Sequence, residues 1–294
     1  MRIWLMAARP RTLPAAIAPV FVGTAAAVEK AGELPRVGAF AAALLGSVFI
    51  QIGTNLVNDY SDAKRGADTV DRLGPVRVTA SGLVAPRSVL VATWVAFAVA
   101  TLAGVYLATV AGPEILAVGA VSIVAGVLYT GGPRPYGYAG LGEVFVFLFF
   151  GLVAVNGSYY VQLEELAWLP LVLSVAVGLL STAILVVNNL RDMDTDRRVG
   201  KHTLAVRLGR KRTRRLFVAL LVLAYALLPV AAAIGAVPWW STTLGLASIP
   251  FAVRAADPVL HRTDGPALNA ALAATGAVLG AFSILVTAGL LIAA

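Results

Sequence analysis

Cysteine is absent from all 294 residues, which excludes disulfides and thiolate-bound metals. Histidine occurs only twice, as His202 and His261, with no spacing that lets two imidazoles share an ion. Charge is thin: Asp, Glu, Lys and Arg make up 13% of the chain, against about 25% in an ordinary soluble domain. Phosphate-binding glycine loops, dinucleotide fingerprints and nucleophilic triads are missing as well. No linker or low-complexity segment divides the chain, so one integral domain over residues 1–294 is the economical reading.

What fills the chain instead is apolar, with hydrophobic residues at 59% and a mean hydropathy of +0.85. An all-α polytopic membrane protein is expected, because a helix of about 20 apolar residues crosses the hydrocarbon layer with its backbone bonded internally. Nine runs qualify, at residues 12–29, 37–60, 88–110, 113–131, 141–162, 167–190, 214–236, 238–254 and 267–293. The first has the basic start and Ala-rich end of a cleaved signal, but Pro10, Pro14 and Pro19 favour a kinked helix that is kept.

Positive charge sets the orientation, since Lys and Arg in short loops stay on the cytoplasmic side. The amino terminus and the loops after spans 2, 4, 6 and 8 hold 21 of the 23 Lys and Arg, leaving only Lys30 and Arg36 opposite. The amino terminus is therefore expected to be cytoplasmic and the carboxyl terminus external, in a cell membrane. A net charge of +8 is explained by this topology and by anionic lipid, so nucleic acid is not an expected partner.

Seven of the nine aspartates fall in two short clusters, at residues 59–71 and 192–196, each where an apolar run meets a basic loop. Carboxylates at a membrane edge are costly to desolvate unless they bind something cationic. Oxygen ligands beside Lys and Arg suit magnesium carrying a phosphorylated substrate. On a helix Asn55, Asp59 and Asp62 share a face, as do Asn58 and Asp62, and as do Asp192 and Asp196. Two such faces meeting across a bundle would bridge a diphosphate through metal. Asp194 points elsewhere. Asn58 and Asp62 recur as Asn188 and Asp192, which hints at two related halves.

Diphosphate needs further cations, and guanidinium forks match its oxygens. Lys64, Arg65, Arg72 and Arg77 follow the first cluster; Arg191, Arg197, Lys201 and Arg207 accompany the second. Of these Lys201, Arg72 and Arg77 stand out by position, whereas the basic run Arg210–Arg215 reads as a lipid-headgroup anchor. Aromatics gather before and within the fifth span, Tyr136 among them, and suit a developing allylic cation. Glu143 and Asn156 are polar residues within that span which need partners, and are candidate acceptor contacts.

Asn58-Asp59-x-x-Asp62 and Asp192-x-x-x-Asp196 resemble the paired motifs of the UbiA superfamily of intramembrane aromatic prenyltransferases, and the resemblance covers nearly the whole chain. Arg9-Pro10-Arg11-Thr12-Leu13-Pro14, Gly74-Pro75-Val76-Arg77, Gly140-Leu141-Gly142-Glu143 and Gly200-Lys201-His202-Thr203 are similar to the branch that prenylates 1,4-dihydroxy-2-naphthoate for menaquinone. The superfamily's usual further Asp falls here at Gly66, and Asp68 stands two residues on. The resemblance implies about nine helices around a central cavity open laterally to lipid, capped by cytoplasmic loops, with two Mg2+ ions. It implies metal ligation by Asn58, Asp59, Asp62, Asp68, Asp192 and Asp196, with Asp62, Asp192, Asp196 and Lys201 carrying catalysis. It further implies a polyprenyl diphosphate and 1,4-dihydroxy-2-naphthoate as substrates, contacted by Asn58, Lys64, Arg65, Arg72, Arg77, Arg191, Tyr136, Glu143 and Asn156.

Two alternatives stay open at this point. The same chemistry on another phenol, such as 4-hydroxybenzoate, differs only in the acceptor pocket. A transporter of phosphorylated lipid or cations would place its ionisable groups at the membrane midplane, whereas these lie at the cytoplasmic ends.

Overall fold

The computed structural model describes residues 2–68 and 73–294, whose regular elements are all helices, with no strand among them. Helix α1 (Arg2–Ala8) turns through Pro10–Thr12 into α2 (Leu13–Ala31), followed by α3 (Val37–Lys64), α4 (Pro86–Ala111) and α5 (Glu114–Leu128). A fifth traverse joins α6 (Gly142–Val146), a π-helical stretch (Phe147–Val153) and α7 (Ala154–Leu163). The chain closes with α8 (Trp168–Arg198), α9 (Leu204–Ala233), α10 (Trp239–Leu246), α11 (Ile249–His261) and α12 (Gly265–Ala293).

Seven of these segments are long and apolar enough to cross a membrane, which matches seven of the expected runs. The other two take shorter form. The fourth is the 15-residue α5, which still runs end to end: Glu114 meets the Tyr160 hydroxyl at one end, and Thr130 meets Asn58 at the other. The eighth divides into α10 and α11 and extends to His261. Pro250 has no N–H for the carbonyl of Leu246, so that helical bond is missing where α10 ends and α11 begins. Ser248 fills the break, its hydroxyl 2.6 Å from the Gly245 carbonyl and 2.8 Å from Tyr225 Oη.

Lipid offers no hydrophobic drive for one apolar helix to join another, so close contact between backbones has to hold the bundle. Gly151, in the π-helical stretch, lies against Gly178 of α8. A Cβ at Gly151 would stand 2.6 Å from Gly178 Cα and 2.7 Å from the Ser174 carbonyl oxygen. Around this crossing the interior is built of small and branched residues from α2, α8, α9 and α12, including Val22, Ala176, Leu180, Phe217, Ala224, Leu279 and Phe282, all buried.

The two ends of the bundle differ in charge. At one, Lys30 pairs with Glu165 and Arg36 with Glu164. Arg36 also exchanges two hydrogen bonds with the Gln162 amide, its N–H donating at 2.9 Å and its carbonyl accepting at 3.2 Å. The other end carries the carboxyl ends of α3 and α8, the loop between α5 and α6, and the amino terminus of α12.

Candidate active site

Helices α3 and α8 stop in the same way. Gly66 and Gly200 adopt φ of +68° and +73°, the left-handed conformation that glycine takes at least cost. The Ala67 amide bonds the Asp62 carbonyl at 2.9 Å and the Gly66 amide that of Ala63 at 3.1 Å; Lys201 to Asp196 at 2.8 Å and Gly200 to Arg197 at 3.3 Å repeat the pattern. These are paired Schellman caps. They place Asp62 and Asp196 at equivalent positions and match Asn58 with Asp192. The correspondence therefore differs in register from the Asn58/Asn188 echo visible in the sequence. Gly66 is thus the residue that ends α3, and Asp68 stands beyond the cap.

The first cluster is drawn together by three segments. Asp62, 1% exposed, accepts from Tyr138 Oη at 3.0 Å and lies 3.4 Å from Arg77 Nη2 and 3.8 Å from Lys201 Nζ. Arg77 Nε is also 3.4 Å from Asp68 Oδ1. Lys201 Nζ sits 5.1 Å from the centre of the Tyr138 ring, and Arg65 at 5.7 Å. Burial, and then the charge of Asp62, push the Tyr138 phenol well above its ordinary range, so it remains a donor. Lys201 joins the α8 side to the α3 side, as pairing across the bundle requires.

Other expected residues take different places. Asp59 is buried but accepts the amides of Val78 at 3.1 Å and Thr79 at 2.9 Å, one on each carboxylate oxygen, so it anchors the capping loop. Arg191 turns toward α12: it forks onto Asp192 at 2.8 and 2.6 Å and reaches Asn188 at 2.9 Å and Asn269 at 2.8 Å. Asn156 donates to the Leu152 carbonyl one turn back at 2.8 Å and is not brought to the cluster. Lys64 is exposed, and Arg65 donates to the Gly132 carbonyl. Arg72 lies outside the described residues. Asp194 is outward, paired with Arg210 at 2.9 Å.

Below the capped cluster lies a cavity of about 320 Å³. Asn58 and Asn188 line its polar end, and Asn58 Oδ1 accepts from Thr130 at 2.7 Å. Tyr136 and Phe145 stack on its wall, ring centres 3.9 Å apart, with Tyr129 and Phe149 on either side at 5.4 and 6.1 Å. Glu143 is buried next to this wall; Asn189 donates to its Oε1 at 2.9 Å, while Oε2 has no hydrogen-bond partner among the described residues. Sequence reasoning counts Tyr138 only among the clustered aromatics, Asn189 only within the second acidic string and Arg9 only within the Arg9–Pro14 motif that should discriminate the acceptor; the individual contacts of each come from the fold.

Among the described residues no three acidic or histidine side chains group closely enough to hold an ion unaided. The donors present are carboxylate and amide oxygens: Asp62, Asp68, Asp192, Asp196 and Asn58. Such a set fits Mg2+, which takes one or two carboxylates and completes its shell with water and phosphate oxygens. The guanidinium of Arg77 fits the phosphate side, since it is buried and its Nη1 has no hydrogen-bond partner among the described residues.

Fold and site together define a multi-pass helical membrane protein with a buried cluster of acidic and basic side chains at one end of an aromatic-lined cavity. The model of the UbiA prenyltransferase family matches residues 16–269, and the chain belongs to that family. It is 47% identical over 287 residues to a 1,4-dihydroxy-2-naphthoate octaprenyltransferase of Mycobacterium tuberculosis, covering 98% of this chain and 96% of the relative. It is 38% identical to the protein of that name from Escherichia coli, over 92% and 89% of the two chains. The fold is that of a UbiA homologue from Archaeoglobus fulgidus solved with DMAPP and Mg2+: TM-score 0.66, 15% identity, 98% of each chain covered.

Proposed function

We propose that this protein transfers a polyprenyl group from polyprenyl diphosphate to 1,4-dihydroxy-2-naphthoate, releasing diphosphate and carbon dioxide and giving demethylmenaquinol for menaquinone synthesis. The observation that carries the reading is the convergence of Arg77, Lys201 and Tyr138, from three separate segments, on Asp62 directly above an aromatic-walled cavity. The names of the M. tuberculosis and E. coli relatives support the acceptor.

Magnesium, held by Asp62, Asp192 and Asp196 with Asn58 and Asp68 nearby, would neutralise the diphosphate and favour its departure. Two ions suit two acidic helix ends. Arg77 and Lys201 contribute fixed positive charge where the leaving group gains negative charge, and they need no reorganisation to do so. Breaking the C–O bond leaves an allylic cation, which the faces of Tyr136 and Phe145 can stabilise. The naphthol carbon bearing the carboxylate then bonds to the prenyl C1, and that carboxylate leaves as carbon dioxide. To Glu143, buried beside the aromatic wall and held by Asn189, we assign the acceptance of a hydrogen bond from the naphthol hydroxyl. The buried cavity keeps water from the cation.

The site faces the cytoplasm of a cell membrane in this reading, with the amino terminus on the same side and residues 1–294 as one domain. The end that keeps only Lys30 and Arg36, each neutralised by a glutamate, is the external one.

The test is transfer by purified protein in detergent, with 1,4-dihydroxy-2-naphthoate, a short prenyl diphosphate and Mg2+, read by mass. A prenylated, decarboxylated naphthoquinol that disappears with EDTA supports the reading. Product only with 4-hydroxybenzoate would keep the donor site and replace the acceptor.

A further inference from the structure

Arg9 is one of two non-glycine residues with positive φ among the described residues, at φ 53° and ψ 70°. A residue with a Cβ is held in that region only when its surroundings over-determine it, and such strain is concentrated at functional sites. Here the surroundings are visible. Asn55 of α3 donates to the Ala8 carbonyl at 3.0 Å and to Thr12 Oγ1 at 3.1 Å; Gln51, one turn earlier, donates to the same Oγ1 at 3.2 Å. Thr12 in turn donates to the Arg9 carbonyl at 3.0 Å, and Arg9 Nη2 reaches the Asn55 carbonyl at 3.4 Å. A polar face of α3 thus pins the turn from both sides.

This clamp sets a guanidinium into the wall of the cavity. Among the described residues lining it, Arg9 is the only Lys or Arg; the cations of the diphosphate cluster, Arg77 and Lys201, lie outside that wall. An aromatic acceptor that carries a carboxylate has to bring a negative charge into this water-poor space, where an unpaired anion is costly. A guanidinium forks onto a carboxylate through two parallel hydrogen bonds.

We infer that Arg9, positioned by Thr12, Gln51 and Asn55, is the residue that recognises the carboxylate of the aromatic acceptor. This rests on the proposed reaction for the acceptor's class, but not on turnover for its test. Arg9 makes the cavity selective for aromatic acids over the corresponding neutral phenols. The left-handed backbone aims the side chain, and the side chain carries the selectivity.

Binding to purified protein without prenyl diphosphate tests this, with 1-hydroxy-2-naphthoate and 1-naphthol as probes, read by calorimetry. Arg9→Gly is the decisive variant, because glycine adopts the same backbone conformation without strain while the whole side chain, cation and Asn55 contact together, is removed. Wild type is expected to prefer the acid by about 10- to 100-fold, the range of a hydrogen bond to a charged group. Arg9→Gly is expected to fold with an unchanged or higher thermal midpoint and to lose that preference, and Arg9→Lys to recover part of it. In the transfer assay, Arg9→Gly should raise KM for the acceptor and leave KM for the prenyl diphosphate unchanged.

A wild type that binds both probes equally, or neither, overturns the inference, as does an Arg9→Gly protein that keeps the preference. A variant whose prenyl diphosphate KM rises instead would move Arg9 to the donor. If the acid preference depends on Arg9 while no naphthoate is ever prenylated, the proposed reaction fails and the carboxylate site stands.

Discussion

The Tyr138 hydroxyl donates a 3.0 Å hydrogen bond to Asp62, tying the loop before α6 to the end of α3. The same loop takes the His202 amide on the Tyr138 carbonyl at 3.1 Å. One tyrosine therefore connects both acidic helix ends. Tyr138→Phe keeps the ring beneath Lys201 and removes only the hydroxyl. We expect a folded protein whose kcat/KM for prenyl diphosphate falls about tenfold, the scale of one hydrogen bond to a charged group, measured by steady-state transfer.

Arg77 holds Asp62 and Asp68 together from a buried position. Arg77→Gln should cut kcat/KM by about 100-fold or more, as expected when a preorganised charge at the leaving group is lost. Its thermal midpoint should also fall, because removing one partner leaves buried carboxylates uncompensated. Arg87, exposed at the start of α4, serves as the control, and Arg87→Gln should change neither.

The Gly151–Gly178 crossing leaves no room for a methyl group. Gly151→Ala is expected to lower stability by about 1–3 kcal/mol, the usual effect of overpacking, seen as a lower midpoint in detergent. Gly157→Ala, where a Cβ meets nothing within 4 Å, should leave it near wild type.

Asp264 caps α12, accepting the Ala267 amide at 3.0 Å and Arg262 Nε at 2.9 Å. These two bonds, the amide first, hold its carboxyl below the usual carboxylate range. The folded protein thus binds this proton more weakly than the unfolded chain does. The stabilisation is complete above about pH 4 and is lost as pH falls through the lower folded value. Thermal midpoints measured from pH 6 to pH 3 should decline less steeply in Asp264→Asn, which keeps a capping side chain without the titration.

The helical class, seven of the spans and both acidic clusters were legible in the sequence because apolar run length and charge placement are local properties. The break at Ser248 was not, since Pro250 inside an apolar run reads the same in a continuous kinked helix. Lys201 and Arg77 were found by proximity in sequence, which here agrees with proximity in space. Asp59 and Arg191 show where that rule fails: helical periodicity gives the face a side chain occupies, but not the loop amide or neighbouring helix that captures it. Asn156 is the plainer case, a polar residue in an apolar run that satisfies itself on its own backbone. Tyr138 and Arg9 required the fold, because a phenol's partner and a left-handed backbone leave no composition signal.

The central claim is that the ends of α3 and α8 form one diphosphate site. A double-mutant cycle on Asp62→Asn and Asp196→Asn, following Mg2+-dependent diphosphate release from a prenyl diphosphate and naphthoate, tests it most directly. If the two act as a unit, each single variant loses nearly as much activity as the double, with folding shown intact by near-ultraviolet circular dichroism. Losses that simply add, or a single variant that keeps wild-type turnover, would contradict the account.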